Sequence, residues 1–420
     1  MRLYTTKLNK QKEFDVIIIG SGAAGMMSAI TSARLGKKVL LLEKLPKIGA
    51  KLKATGGGRC NLTNTLDNED FMKRFGKNGR FMRDALSLFD HNQLIEFFTK
   101  LGVATHAPDG YRVFPITHKS TSIISALEKE MLKLNILIKC SSSVKKIDIR
   151  KPCTKSVITD SNQYFAKNII IATGGLGYST LGANGDGYNF AKKLGHNISE
   201  LSPAMMPLHV NETWVQNCRA DTIPKVTIKV DLPKFKKLKA SGDLIFTKNG
   251  IRGPVVLDVA RYITPLLKKY AKVPILINLT KGMNEEQIRV YIKNQAIENP
   301  DKSILEHISS LLPTAISKEL CIMSKINFKD KFSKIQRIKK DKLIKILAWT
   351  PLHVNGHDGF EKAMITRGGV PLKEINPKSM QSKLVEGLYF CGEVVDLDGP
   401  CGGYNLQWSF SSGYLAGLMK

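Results

Sequence analysis

Two thiols in this 420-residue chain sit where a proton could be handed to a substrate. Cys60 lies in TGGGRCNLTN (55–64) and Cys401 in DGPCGGYN (398–405). Both stretches are too glycine-rich for a helix interior and too polar for a buried strand. An unperturbed thiol titrates at about 8.5, so at neutral pH it is mostly protonated and can act as a general acid. Arg59, directly before Cys60, offers a guanidinium to a phosphate or an anionic substrate. The same positive charge should lower the Cys60 pKa and favour a thiolate, which is a poor acid. Cys401 is therefore the preferred donor. Gly402 and Gly403 leave room beside it, and Asp396 and Asp398, if close in space, keep its thiol protonated. His106, His118, His353 and His357 are alternative acids, although a lone histidine is usually structural or at the surface. No Ser/His/Asp set and no metal-ligand spacing is visible, so no metal is expected.

The elements that must position these groups are legible on both sides. Residues 14–44, FDVIIIGSGAAGMMSAITSARLGKKVLLLEK, begin with a β-branched apolar run that reads as a buried parallel strand. Gly20, Gly22 and Gly25 then form G-x-G-x-x-G at the start of a helix, and a second strand, 39–42, runs into Glu43. In that context the pattern is a dinucleotide fingerprint. Gly20 permits a tight turn, Gly22 lets a pyrophosphate approach, and Gly25 lets the helix pack on the strand. The helix N-terminus stabilises the phosphate charge. Glu43 can accept hydrogen bonds from both ribose hydroxyls, and Ala24 and Lys44 belong to the same binding set. Further on, NIIIATGG (168–175) is another buried strand ending in Ala172, Thr173 and Gly174. GLYFCGEVVD (387–396) gives a strand followed by Gly392 and Glu393, then GPCGGYNLQWSFSSGYLAG. Strand-then-ATG and strand-then-GE segments resemble the later cofactor contacts of two-dinucleotide-type flavoproteins, and contacts from both chain ends would imply a discontinuous binding domain with an inserted segment.

The stretches TGGGRCNLTN, GDLIFTKNGIRGPVVLD and VPLKEINPKSMQSKLVEGLYFCGEVVDLDGPCGGYNLQWSFSSGYLAG resemble the BaiN/RdsA family of NAD(P)/FAD-dependent oxidoreductases, from Phe14 to the end. GRCN and CGGYNLQW are far more specific than the fingerprint. The resemblance implies a two-dinucleotide-type flavoprotein that binds FAD in a Rossmann-like α/β domain. It implies that Thr55, Gly56, Gly57, Arg59, Cys60 and Asn61 run along the flavin and that Val144 binds adenine through its backbone. Glu393 would bind a ribityl hydroxyl, and Gly403, Asn405, Leu406 and Gln407 would lie at the helix N-terminus facing the pyrimidine end. The insert has no second fingerprint, so NAD(P)H would visit transiently as reductant. Arg252 stands where a small Ser is usual, Cys391 where Ala is usual, and Arg367 in a normally small turn.

Charge bears on the substrate. Lys plus Arg number 64 against 36 Asp plus Glu, a net charge of +28. Such a surplus fits a polyanionic partner, unless a lysine-rich composition alone accounts for it. The sharpest basic runs are KVDLPKFKKLK (229–239) and KDKFSKIQRIKKDKLIK (329–345). The activities implied by the resemblance include reduction of uridine to dihydrouridine in large-subunit ribosomal RNA, reduction of bile-acid intermediates, and aminoacetone oxidation. The first fits the charge. It needs a hydride at carbon 6, which reduced flavin supplies, and a proton at carbon 5, with Tyr404 stacking on the base. A small-molecule reductase or amine oxidase, and a non-catalytic RNA-binding flavoprotein, are the alternatives.

Seven scattered cysteines without a CxxC pair indicate a reduced, cytoplasmic setting. No apolar run reaches the roughly 18 residues of a membrane span, and the N-terminus lacks the apolar core of a secretory signal. The expected organisation is a mobile extension over 1–13, a Rossmann-like FAD-binding domain over 14–200 and 355–420, and an insert over 201–354. Within the first domain one helix is expected over 80–102. The insert reads as a β-barrel or sandwich followed by a helical subdomain, with helices over 284–296, 302–310, 315–324 and 334–348.

Overall fold

The computed structural model describes residues 12–149 and 154–419. Most of the extension expected over 1–13 lies outside the described residues. The chain forms two compact units, Met1–Leu201 with Ile365–Lys420, and Ser202–Met364.

The first unit is a Rossmann-like α/β fold. Its central strand, Glu13–Ile19, pairs in parallel with Val39–Leu42 on one side and Gln163–Ile171 on the other. Leu137–Lys139 extends the sheet beyond Val39–Leu42. Leu388–Phe390 adds in parallel to the last half of Gln163–Ile171, whose first half carries an antiparallel pair, Lys155–Thr159 and Val144–Asp148. Val16, Ile17 and Ile18 have no exposed surface, as expected for a parallel strand covered on both faces. The fingerprint helix, Ala23–Arg34, packs against the C-terminal helix, Tyr404–Gly417. A Cβ on Gly413 would fall 2.3 Å from the Ala24 carbonyl oxygen, so the two backbones nearly touch.

The helix expected over 80–102 is broken. A 3-10 segment (Gly76–Met82) and a helix (Arg83–Leu88) end at Phe89, and a new helix, His91–Lys100, begins after Asp90. Asp90 Oδ1 accepts from the Asn92 and Gln93 amides (2.7 and 3.3 Å), while Gln93 Oε1 accepts from the Asp90 amide (3.0 Å). This capping box starts a helix where apolar spacing alone would carry one through.

In the second unit six strands close an antiparallel barrel in the order Leu208–Val210, Gly250–Arg252, Lys239–Phe246, Thr222–Val230, Val273–Asn278, Thr350–His357. Alternation along Thr222–Val230 sends Val226, Ile228 and Val230 into the core. The helices Glu285–Glu298, Ile304–Ser309, Thr314–Met323 and Arg337–Ala348 contribute Ile288, Ile308, Leu320 and Leu347 to the same apolar cluster. No helix among the described residues is long and apolar enough to cross a membrane.

Candidate active site

The fingerprint glycines divide into two kinds. A Cβ on Gly25 would lie 1.9 Å from the Gly20 carbonyl oxygen, and one on Gly20 would lie 2.6 Å from the Ala172 carbonyl oxygen. Both are glycine because backbone packs against backbone. Gly22, the N-cap of the fingerprint helix, is different: a Cβ there would meet nothing within 4 Å. No side chain caps this helix, so its first turn opens onto free space suited to an anion. Gly174 also faces open space, and the hydroxyl of neighbouring Thr173 is buried without a hydrogen-bond partner. Glu43 is held ready, Oε2 accepting from the Ser21 hydroxyl (2.5 Å) and amide (3.0 Å) and Oε1 from the Leu45 amide (2.9 Å). Lys44 pairs with Asp186 at 2.8 Å. Val144 opens its strand buried opposite Thr159.

The loop from Thr55 to Cys60 is left-handed over most of its length, with φ of 59°, 66°, 87° and 61° at Gly56, Gly57, Gly58 and Cys60. Thr55 ties it to the preceding helix, its hydroxyl donating to the Leu52 carbonyl (2.7 Å) and its carbonyl accepting from the Cys60 amide (3.0 Å). The expected Cys60 thiolate is not formed. The side chain is wholly buried, and that burial pushes its pKa up to about 12 despite a hydrogen bond with Thr55. Arg59 does not offset this. Its guanidinium lies over the Phe114 ring (5.6 Å), with Nε donating to the Gly56 carbonyl (3.3 Å). Desolvation outweighs sequence adjacency.

Cys401 is half-buried in a loop held from both sides. Asn64 Nδ2 donates to the Gly402 carbonyl (2.9 Å). With its amide oriented by the surrounding donors and acceptors, Asn61 donates to the Thr63 and Val113 carbonyls (2.9 and 3.2 Å) and accepts from the Gly403 amide (3.1 Å). A Cβ on Gly403, at φ +87°, would fall 2.5 Å from the Thr63 carbonyl oxygen. Asn405 clasps Gly399 by amide (2.7 Å) and carbonyl (2.9 Å). Two expectations fail here. Tyr404 cannot stack on a substrate base, because it is buried against Phe71 (4.9 Å) and Phe75 (6.0 Å) with its hydroxyl bonded to that of Tyr111. Gln407, fully buried beside half-buried Leu406, braces the helix by donating to the Phe89 carbonyl (3.1 Å) and the Ser411 hydroxyl (2.9 Å).

Gly392 lies against Ala24, its amide bonded to the Ser412 hydroxyl (2.9 Å). Next to it the Glu393 carboxylate is shared between Lys51 Nζ (2.6 Å) and the Thr366 amide (2.8 Å). A small cavity beside it is lined by Thr366, Glu393, Leu397, Asp398, Asn405 and Trp408. The Trp408 indole N–H is buried without a partner.

The profile of the HI0933-like protein Rossmann domain matches residues 14–419. The chain belongs to this family. A 3-dehydro-bile acid delta(4,6)-reductase of Clostridium scindens is 31% identical over 405 residues, covering 95% of this chain and 97% of the relative. A ribosomal RNA dihydrouridine synthase of Haemophilus influenzae is 31% identical over 407 residues, covering 96% and 97%. Among solved structures, a 3-ketosteroid delta1-dehydrogenase from Sterolibacterium denitrificans shares the fold, with a TM-score of 0.51 at 11% identity over 97% of this chain and 99% of that one. The BaiN/RdsA resemblance read from GRCN and CGGYNLQW therefore holds.

This HI0933-like chain is an FAD-dependent oxidoreductase, and its residues fit the cofactor: open space at Gly22 and Gly174, an unpartnered Thr173 hydroxyl, and a fixed Glu43 carboxylate. Ser21, Lys51, Asn64 and Thr366 hold Glu43, Glu393 and the Gly402 carbonyl in place, and sequence reasoning missed all four. Ser21 had a signal, since it lies inside the fingerprint. The others are defined only by partners distant in the chain.

Of the alternative acids, His106 and His118 face each other through Nε2 (2.9 Å), His353 pairs with Glu212 (2.7 Å), and His357 ends a barrel strand. Cys391 is fully buried, its thiol pushed up to about 12 by that burial. One set that the sequence did not show is present: His196 Nδ1 lies 3.0 Å from Glu374 and its Nε2 2.8 Å from the Ser382 hydroxyl. Ser382 Oγ also accepts from the Leu384 and Val385 amides (3.0 and 2.8 Å), and all three side chains are buried. The trio braces the segment before Leu388–Phe390 and presents no nucleophile.

Proposed function

We propose that this protein reduces a carbon–carbon double bond in a polyanionic substrate, converting uridine in RNA to dihydrouridine, with NAD(P)H as a transient reductant in the cytoplasm. The observation that carries the choice is the net charge of +28, which favours RNA over a small substrate such as a bile acid. The names of the two full-length relatives, a ribosomal RNA dihydrouridine synthase and a bile acid reductase, bracket the same chemistry. Bound FAD supplies hydride transfer. The chain's part is to bind and orient: the Gly22 turn takes the pyrophosphate and Glu43 the ribose. The Cys401 thiol delivers the proton to carbon 5, in a loop kept in place by Asn64, Asn61 and Asn405. Cys60 serves packing.

The test is anaerobic. Protein reduced with NADH or NADPH should be reoxidised by uridine-containing ribosomal RNA, with dihydrouridine appearing in that RNA. Preferred reduction by aminoacetone with reoxidation by oxygen alone would support an amine oxidase and overturn the proposal.

A further inference from the structure

In the second unit, the helix Arg337–Ala348 buries one face through Leu343, Ile344 and Leu347. Its opposite face, at spacing i, i+4, i+7, carries Ile338, Lys342 and Lys345, all exposed, and four residues on comes Trp349. Trp349 is half-buried at the rim of the unit's apolar core. Over its ring, 3.7 Å from the centroid, sits the ammonium of Lys229 from the barrel strand Thr222–Val230. Lys229 of the first basic run thus covers the indole that closes the helix carrying the second.

Lys229 stands directly across its strand pair from Lys239. Like charges in that position destabilise a sheet, so an external anion would relieve them. Lys229, Lys239, Lys342 and Lys345 make no ion pairs among the described residues. The nearby Asp341 is engaged instead by Arg289 at 2.7 Å. An ammonium over a ring face is a weak, exchangeable cover.

We propose that Trp349 is a stacking platform for an unpaired RNA base, with Lys229, Lys239, Lys342 and Lys345 holding the flanking phosphates. The proposal rests on the RNA reading above. The base takes the ring face as Lys229 swings from the indole to a phosphate. Stacking of this kind tolerates any base but needs one that is not already paired.

The experiment is titration of the full chain with single-stranded oligocytidylate, which holds no uridine to be reduced, alongside duplex RNA and phosphatidylserine vesicles. Oligocytidylate should quench Trp349 emission, with the Trp349→Phe protein supplying the baseline from the other tryptophans. By anisotropy of labelled RNA, Trp349→Phe should bind within a few-fold of the parent and Trp349→Ala at least about tenfold more weakly. Lys229→Gln with Lys239→Gln should flatten the salt dependence, by about 0.7 in log–log slope for each phosphate no longer neutralised. Normal binding by Trp349→Ala, equal quenching by duplex, or quenching by vesicles but not RNA would each overturn the platform. If Trp349→Ala binds normally while uridine RNA still reoxidises the flavin, the platform falls and the RNA reading stands. If uridine RNA neither binds nor reoxidises the flavin, both fall.

Discussion

Asn64 Nδ2 donates to the carbonyl of Gly402 at 2.9 Å, across 338 residues of chain. That bond joins the TGGGRCNLTN loop to the loop bearing Cys401, and it is fully buried. Asn64 Oδ1 also accepts from the Leu66 amide (3.2 Å). Asn64→Ala strands the buried Gly402 carbonyl, at a cost of about 1–3 kcal/mol, and removes the partner of the part-buried Leu66 amide. The thermal midpoint of the purified protein should drop by several degrees, and flavin should leave faster on dilution. An unchanged midpoint would show that the bond contributes nothing.

Gly22 and Gly25 should respond oppositely to the same change. Gly22→Val finds open space, so the protein should fold with parent-like circular dichroism yet stay colourless when mixed with FAD. Gly25→Val would drive a Cβ into the Gly20 carbonyl, 1.9 Å away, and should reduce the yield of folded protein. A yellow Gly22→Val protein would remove the pyrophosphate from that turn.

Thiol chemistry separates the cysteines. Cys60, Cys218, Cys321 and Cys391 are buried and pushed up to about 12, whereas Cys401 is half-buried. In native protein, iodoacetamide followed by peptide mass spectrometry should mark Cys401 well ahead of those four, with the difference lost in denaturant. Cys401→Ala should keep FAD binding and reduction by NAD(P)H but stall the substrate-consuming step. Cys60→Ala should keep turnover and lose some stability. The reverse pattern would reassign the proton donor.

Burial holds the His196 imidazole below its ordinary value, although Glu374 pulls the other way. The folded state then resists a proton that the unfolded chain accepts at about 6.5. Below that pH the unfolded state binds more protons, so stability is full above it and falls with falling pH, by at most about 1.4 kcal/mol per pH unit for one group. His307 and His357 are also held low, chiefly by burial, and act in the same direction. Urea unfolding between pH 5 and 7 should show a shallower pH slope for His196→Asn than for the parent. Equal slopes would mean that His196 does not titrate with folding.

Much of this protein could be read along the chain because the relevant physics is local. A buried strand, three glycines, a helix and an acid follow one another within 14–43, and their roles as turn, opening and packing contact depend on neighbours in sequence. The GRCN and CGGYNLQW loops were legible as glycine-rich turns, but that Gly403 packs on the Thr63 backbone is set by a partner 340 residues away in the chain. Where the chain reads poorly, the deciding partner is far away. Apolar spacing carried a helix through 80–102, yet the Asp90 cap broke it. Alternating strands allowed either a sandwich or a barrel, and closure depends on Leu208–Val210 pairing with Thr350–His357. Arg59 beside Cys60 suggested a thiolate, but pKa follows desolvation, which the packed core sets. Lys51 reaches Glu393, and His196 meets Glu374 and Ser382, only because the sheet brings the two ends of the chain together. Residue order determines local conformation; burial and charge pairing depend on which distant surfaces meet, and the tertiary structure alone decides that.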